Sequence, residues 1–119
     1  MLGNTFVLPQ VGGDITCVLV NQDVYSSEYR FTNSTDRYTV KVRHSTVKAT
    51  GVYPQYDRHN VEVVRTTFQV GDVGEYYQKF FFVLEVKPGT TSVVLADAVA
   101  DKIILSSNAL VSALLQWES

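Results

Sequence analysis

The sequence predicts an α+β fold: an N-terminal β-hairpin, an antiparallel meander of about five strands, and two C-terminal helices. Three observations carry this. In residues 37–43, Arg37, Thr39, Lys41 and Arg43 alternate with Tyr38, Val40 and Val42, and period two puts the two sets on opposite faces of a sheet. Clusters of turn-forming residues, such as Gly12-Gly13-Asp14 and Asn33-Ser34-Thr35-Asp36, separate these alternating runs. After Pro88-Gly89 the period changes, and Val93, Val94, Ala98, Val99, Ile103 and Ile104 fall near helical spacing.

Residues 4–20 read as the hairpin: Phe6-Val7-Leu8 is apolar, the glycine pair turns the chain, and residues 15–20 resume a β-rich run. Pro9 would break a central ladder, so the first strand is short or lies at an edge. Residues 21–23 form a loop. In residues 25–32, Tyr25, Tyr29 and Phe31 point one way while Ser26, Glu28, Arg30 and Thr32 point the other. The next strand runs from 37 to about 46 and is hairpinned to its predecessor. Residues 47–54 are irregular, punctuated by Gly51 and Pro54. Residues 56–68 extend again, with a bend expected beyond Val63, where the alternation weakens. Residues 69–75 form a flexible loop carrying Gly71, Asp72, Gly74 and Glu75. The last strand, 76–87, is nearly continuously apolar through Phe80, Phe81, Phe82, Val83 and Leu84, so it is covered on both faces or sits at an interface. In the region 91–118, a second helix is capped by Ser107 or Asn108 and carries Leu110, Val111, Leu114, Leu115 and Trp117.

A chain of 119 residues with 45% hydrophobic and 18% charged residues makes one folded domain, residues 1–119. The single Cys17 excludes an intramolecular disulfide and a Cys-rich zinc site, and reads as a small buried strand residue. No signal peptide is visible and no apolar run nears a membrane span, so no membrane partner is expected and the protein acts where it is made. Both helices are apolar over more than one stripe, and the last strand presents a hydrophobic edge. These features predict an obligate dimer with an edge-to-edge sheet and exchanged helices; a monomer with self-packed helices is the simpler alternative.

Parity over the meander assigns one face to Ser26, Glu28, Arg30, Thr32, Arg37, Thr39, Lys41, Arg43, Tyr56, Arg58, Asn60, Glu62, Lys79, Phe81, Val83, Glu85 and Lys87. That face holds seven of the ten basic residues and three of the twelve acidic ones, within a chain of net charge −2. A basic face on an acidic body is the footprint of a polyanion. Arg and Lys suit phosphates, Thr39, Asn60 and Glu85 suit base edges or a 2′-hydroxyl, and Tyr56 and Phe81 suit stacking on unpaired bases. A solvated face laced with cross-strand ion pairs is the alternative reading.

No enzymatic constellation accompanies this face. His44 and His59 fall on the core-side parity and read as partly buried, hydrogen-bonded structural residues, with a general base as the alternative. No Ser-His-Asp pattern, phosphate loop or metal-ligand spacing is present. No cofactor is expected. Asp72 and Glu75 are the loop carboxylates placed to share a divalent cation with a neighbouring chain, against the simpler reading of two solvated side chains.

The order of elements, with Val11-Gly12-Gly13-Asp14 in the hairpin, resembles the coat proteins of small single-stranded RNA bacteriophages, the levivirus type. Within it the resemblance is greatest to the Caulobacter RNA phages. It is carried by residues 21–29 (NQDVYSSEY), 41–44 (KVRH), 55–62 (QYDRHNVE) and the ending Trp117-Glu118-Ser119, and spans almost the full length.

The resemblance implies a homodimer with a continuous ten-stranded sheet, helices of each subunit over the partner, and an icosahedral T=3 shell assembled in the bacterial cytoplasm. It also implies a sheet face lining the virion interior and holding the genomic RNA. Carried over by strand position, the RNA-binding residues are Arg37, Thr39, Lys41 and Arg43, then Arg58 and Asn60, then Phe81, Val83 and Glu85; parity adds Tyr56 and Lys79. The family often has a Tyr and an Asn where Phe81 and Val83 stand, so stacking is retained and one polar contact is lost. General RNA packaging is therefore the expectation, and repression of replicase translation through an RNA hairpin rests on the resemblance alone. The loop at residues 69–75 corresponds to the one that meets at the shell's symmetry axes. A dimeric RNA-binding regulator that forms no shell is the alternative function.

Overall fold

A computed structural model of the chain describes residues 2–119. The described residues form two units, 2–88 and 89–119, treated separately below. The first unit is one antiparallel sheet of six strands in sequential order: β1 (Thr5–Leu8), β2 (Ile15–Gln22), β3 (Ser26–Thr32), β4 (Asp36–Val47), β5 (Tyr56–Thr67) and β6 (Tyr76–Val86). The expected hairpin is therefore the first two strands of the same sheet, and the meander has no separate fifth member. The bend expected in β5 is absent. Val64 and Thr66 keep the parity of the polar face, and all twelve residues of β5 pair with β4 without a register break.

Side chains of the connections set the turns. Asp23 Oδ1 accepts the backbone N–H of Tyr25 and of Ser26, both at 2.8 Å. Asn33 Oδ1 accepts those of Thr35 at 2.9 Å and Asp36 at 2.7 Å. Each side chain mimics a backbone turn and closes a hairpin. Between β5 and β6 the expected flexible loop contains a tight turn. Val70 and Val73 exchange backbone hydrogen bonds of 3.0 and 2.9 Å around Gly71-Asp72, with Gly71 at φ +55°, where a side chain would be strained.

The core lies on one face of the sheet. Cys17, Tyr29, Tyr38, Val40 and Val42 are buried, and Phe6, Leu8, Ile15, Leu19, Phe31, Val61 and Val63 pack around them. A flat six-stranded sheet would leave that face open; here its N-terminal end curls over. The register between β2 and β3 shifts between Leu19 and Asn21, a bulge that adds twist. The curl lets the Tyr29 hydroxyl donate to the Gly3 carbonyl at 2.9 Å and brings Phe6 within 5.7 Å of the Tyr29 ring. Cys17 belongs to this core as expected, and burial pushes its thiol pKa up.

Polar residues finish one corner of the same face. Asp36 accepts hydrogen bonds from Thr35 Oγ1 at 2.8 Å, Thr67 Oγ1 at 2.9 Å and Arg65 Nε at 3.3 Å. The two hydroxyls and then the guanidinium hold its carboxyl below the usual aspartate range.

The second unit is the helical segment α1 (Val94–Leu115). Its backbone leaves helical geometry at Leu105 and then runs left-handed through Ser106, Ser107 and Asn108. Neither Ser107 nor Asn108 takes the expected N-cap conformation, which is extended; their φ values are 57° and 65°. No residue of α1 is buried. By length and composition α1 is apolar enough to cross a membrane, which corrects the expectation that no segment approaches that size. The sequence expectation treated residues 106–108 as a polar gap, whereas two serines and an asparagine lower the average hydropathy of a 22-residue window only modestly. The backbone break nonetheless leaves stretches of about two to three turns, and a continuous span needs ~20 helical residues.

Candidate nucleic-acid interface

The strand registers decide whether the alternating polar residues share one surface. Across β3, β4, β5 and β6, Glu28 stands opposite Lys41, Lys41 opposite Glu62, and Glu62 opposite Phe81. One step along are Ser26, Arg43, Asn60 and Val83, and on the other side Arg30, Thr39, Val64 and Lys79. Arg58 pairs Glu85, and Tyr56 pairs Val47 at the end of β5. Arg37 pairs Thr32 and Thr66. Residues in register share a face, so all eleven predicted contact residues fall on the same side of the sheet, opposite the core.

The cations there are interleaved with three glutamates. Glu28 is shared by Arg30 at 3.1 Å and Lys41 at 3.8 Å, and Glu62 by Lys79 at 3.2 Å and Arg43 at 3.9 Å. Arg58 lies 3.8 Å from Glu85. The cross-strand ion-pair lacing expected of a merely solvated face is thus present, yet two cations share each of two glutamates and the positive surplus remains. Exposed pairs of this kind contribute only ~0–1 kcal/mol each, so a phosphate can take over a cation at little cost. Arg37 sits over the Phe68 ring, 5.8 Å from its centroid.

Apolar groups on this face are open to solvent: Phe81 is 59% exposed and Tyr77 is 68% exposed. Tyr77 shares the face through Thr66 and lies under Lys79 Nζ at 6.0 Å. Sequence reasoning missed it, although extending the β6 alternation one step N-terminal of Lys79 finds it. Asn60 is less accessible than expected. Its Oδ1 is buried with no hydrogen-bond partner among the described residues, a state that costs about 1–3 kcal/mol.

The loop residues Gly71, Asp72, Gly74 and Glu75 lie in the β5–β6 connection, outside the strand rows, and Glu75 borders the same hollow as Arg37, Lys41 and Lys79. Among the described residues no group of three or more His, Cys, Asp or Glu is arranged to hold a metal. His44 and His59 stand directly opposite each other on the core-side parity of β4 and β5, hydrogen-bonded as expected, but to one another; His59 is partly buried as expected, whereas His44 is exposed near the end of β4.

Comparison with known proteins agrees with this architecture. The coat protein of bacteriophage EMS014 superposes with a TM-score of 0.62 at 14% identity, covering 82% of this chain and 69% of that one. An unassembled virus coat protein dimer, described as a bacteriophage RNA-binding dimer, superposes with a TM-score of 0.59 at 16% identity, covering 98% and 95%. At these identities the likeness concerns the fold. A comparison with curated protein sequences found no match. The family model for the coat protein of phage phiCb5 matches residues 3–87, the whole sheet with its basic face. The chain therefore belongs to the phage phiCb5 coat protein family, whose members are structural, non-enzymatic components of the virion.

Proposed function

We propose that the chain dimerises, assembles into an icosahedral shell of T=3 type in the bacterial cytoplasm, and binds genomic single-stranded RNA on its polar sheet face. The observation that carries this is the common register of Arg37, Lys41, Arg43, Arg58 and Lys79 across three adjacent strands. Strands ~4.8 Å apart with like-facing residues ~7 Å apart make a cationic lattice on the scale of phosphate spacing in an extended strand. Phe81, Tyr77 and Tyr56 supply ring surfaces among these cations, and base stacking is worth ~1–3 kcal/mol per ring. With Val83 apolar and the Asn60 acceptor buried, the face favours sequence-tolerant packaging over readout of one hairpin; repression of replicase translation would need contacts supplied by Thr39 and Glu85.

Dimerisation is proposed through β6. It is the last strand of the sheet order and among the described residues pairs only with β5, and Phe80 and Phe82 on its core-side face are 53% and 54% exposed. Pairing β6 with its copy continues the sheet, to twelve strands at six per chain rather than ten. The exposed apolar residues of α1, including Val94, Leu95, Leu114 and Leu115, suit burial against the partner subunit. We assign no membrane partner and no resident cofactor. Asp72 and Glu75 are offered as a point where neighbouring subunits share a divalent cation, testable by shell stability with and without chelator.

Expression in bacteria followed by electron microscopy tests assembly; small dimers under all buffers would overturn the shell. Absorbance at 260 nm of purified particles tests RNA content. Lys41→Ala with Arg58→Ala is expected to lower RNA content and to flatten the salt dependence of binding, since each lost phosphate contact removes about one unit from the salt slope. Unchanged RNA content and salt sensitivity in that variant would show that the RNA lies elsewhere.

A further inference from the structure

The only two histidines of the chain, His44 and His59, are directly opposed on adjacent antiparallel strands. Their Nδ1 atoms are 2.8 Å apart and their rings meet edge to face, at 71° with centroids 5.0 Å apart. The pair is open to solvent at the rim of a hollow of about 540 Å³, lined also by Tyr25, Ser45, Thr46 and Asp57. Among the described residues no ion pair involves either ring, and no role in the basic face absorbs them, since they lie on the opposite side of the sheet.

We propose that His44 and His59 form a two-imidazole site for a divalent transition-metal ion of the Cu²⁺ or Ni²⁺ class. Two nitrogen ligands at ~2.0–2.1 Å in a cis, right-angled arrangement stand ~2.9 Å apart, whereas tetrahedral ligation sets them ~3.3 Å apart. Either spacing is within reach of rings whose Nδ1 atoms stand 2.8 Å apart across a hydrogen bond, and the preference for copper(II) and nickel(II) follows from the rise in affinity of nitrogen sites along the first-row divalent series to copper. Backbone pairing of β4 with β5 holds the two ring-bearing positions opposite each other before any ion arrives, so little ordering is required on binding.

In the metal-free pair one Nδ1–H donates to the other Nδ1, so one lone pair is in use and one nitrogen carries a proton. Ligation needs both lone pairs. The bridging proton therefore moves through solvent to Nε2 of its own ring, and both rings rotate about Cβ–Cγ until their lone pairs meet at a common point. Asp57, two residues before His59 and on the same face, contributes negative charge at the rim without completing a three-residue ligand group. Asp23 and Tyr25 from the β2–β3 turn, and Arg43 and Arg58 beside His44, also border the pair, and Leu84 faces His59 from β6. Water fills the remaining positions.

Both ligands come from one chain, so neither a partner subunit nor RNA has to supply one. The test uses the full-length protein, stripped with a chelator and titrated with Cu²⁺ or Ni²⁺ alone. The expected result is one saturable site per chain, a nitrogen-ligand signature in the Cu²⁺ electron paramagnetic resonance spectrum, and a rise in melting temperature. His44→Gln and His59→Gln should each weaken binding at least tenfold. Equal binding by the double variant, an oxygen-only signature in the unaltered protein, or displacement of the ion by equimolar Ca²⁺, which favours oxygen ligands, would overturn the assignment. The spectrum of the unaltered protein decides the matter even where a variant fails to fold.

Discussion

Asp36 shows how single side chains hold this sheet together. Its carboxylate gathers Thr35, Thr67 and Arg65, joining the β3–β4 turn to the far end of β5, and Arg65 in turn lies over the Tyr38 ring at 5.6 Å. Hydrogen bonds to the charged form hold its pKa below the ordinary value of ~3.9. A depressed carboxylate stabilises the fold fully above the unfolded-state value, and that contribution is lost as pH falls through the folded-state value. The melting temperature should therefore drop as pH is lowered below about 4. Asp23, held low chiefly by the Tyr25 backbone N–H and then by Ser26, contributes to the same slope. Asp36→Asn should melt lower at neutral pH and show a shallower acid dependence; thermal melts from neutral to acidic pH check this, and an unchanged slope would remove Asp36 from the account.

At the scale of elements, the break in α1 and the free edge of β6 are the places where local preference and observed structure disagree. Ser106, Ser107 and Asn108 occupy three consecutive left-handed positions. For residues other than glycine each such position costs roughly 1–2 kcal/mol, and asparagine tolerates it best. The contrast between Ser107→Gly and Ser107→Val isolates this cost. The glycine variant should be the more stable by about 1–2 kcal/mol in denaturant melts, whereas equal stabilities would mean that the segment straightens in solution. In β6 the side chains alternate between an apolar core-side row, Phe80, Phe82 and Leu84, and a mixed row, Lys79, Phe81, Val83 and Glu85, which serves the basic face. That double duty explains why its hydrophobicity is nearly continuous.

For the whole molecule, the question is how a sheet with so little burial of its last strand and helix is stable. Curling of β1 and β2 protects Tyr29, Tyr38 and Val40, but the β6 aromatics and all of α1 remain accessible. Large exposed apolar area marks surfaces that meet partners, which is where the proposed contacts between copies lie. Phe82→Asp places a charge at the proposed subunit contact while leaving the basic face untouched. It should yield monomers and no particles by size-exclusion chromatography and electron microscopy; normal particles would displace the contact from β6. The Lys41 and Arg58 variant should behave oppositely, retaining dimers while losing RNA.

Alternation in residues 37–43 was enough to determine the strands and the division of their faces, because side-chain direction in a strand has period two whatever the tertiary context. Membership of the basic face was legible for the same reason, as was the turn at Asn33, whose side chain acts locally; the loop expected at residues 21–23 lies further on, because Asn21 and Gln22 pair with β3 and Asp23 closes the turn after them. Tertiary structure alone decided the rest. Alignment of Glu28, Lys41, Glu62 and Phe81 in one row depends on register, which long-range pairing sets. Continuity of β5 was hidden because its C-terminal half carries Val64 on the polar face and Arg65 on the core face, where Asp36 and Tyr38 compensate the charge. Incorporation of the hairpin into a curled six-stranded sheet turned on a bulge between Leu19 and Asn21 that leaves no mark in the hydrophobic pattern. Facing of His44 and His59 was likewise invisible: parity placed both on one side, but only the pairing of β4 with β5 brought two residues fifteen positions apart to hydrogen-bond distance.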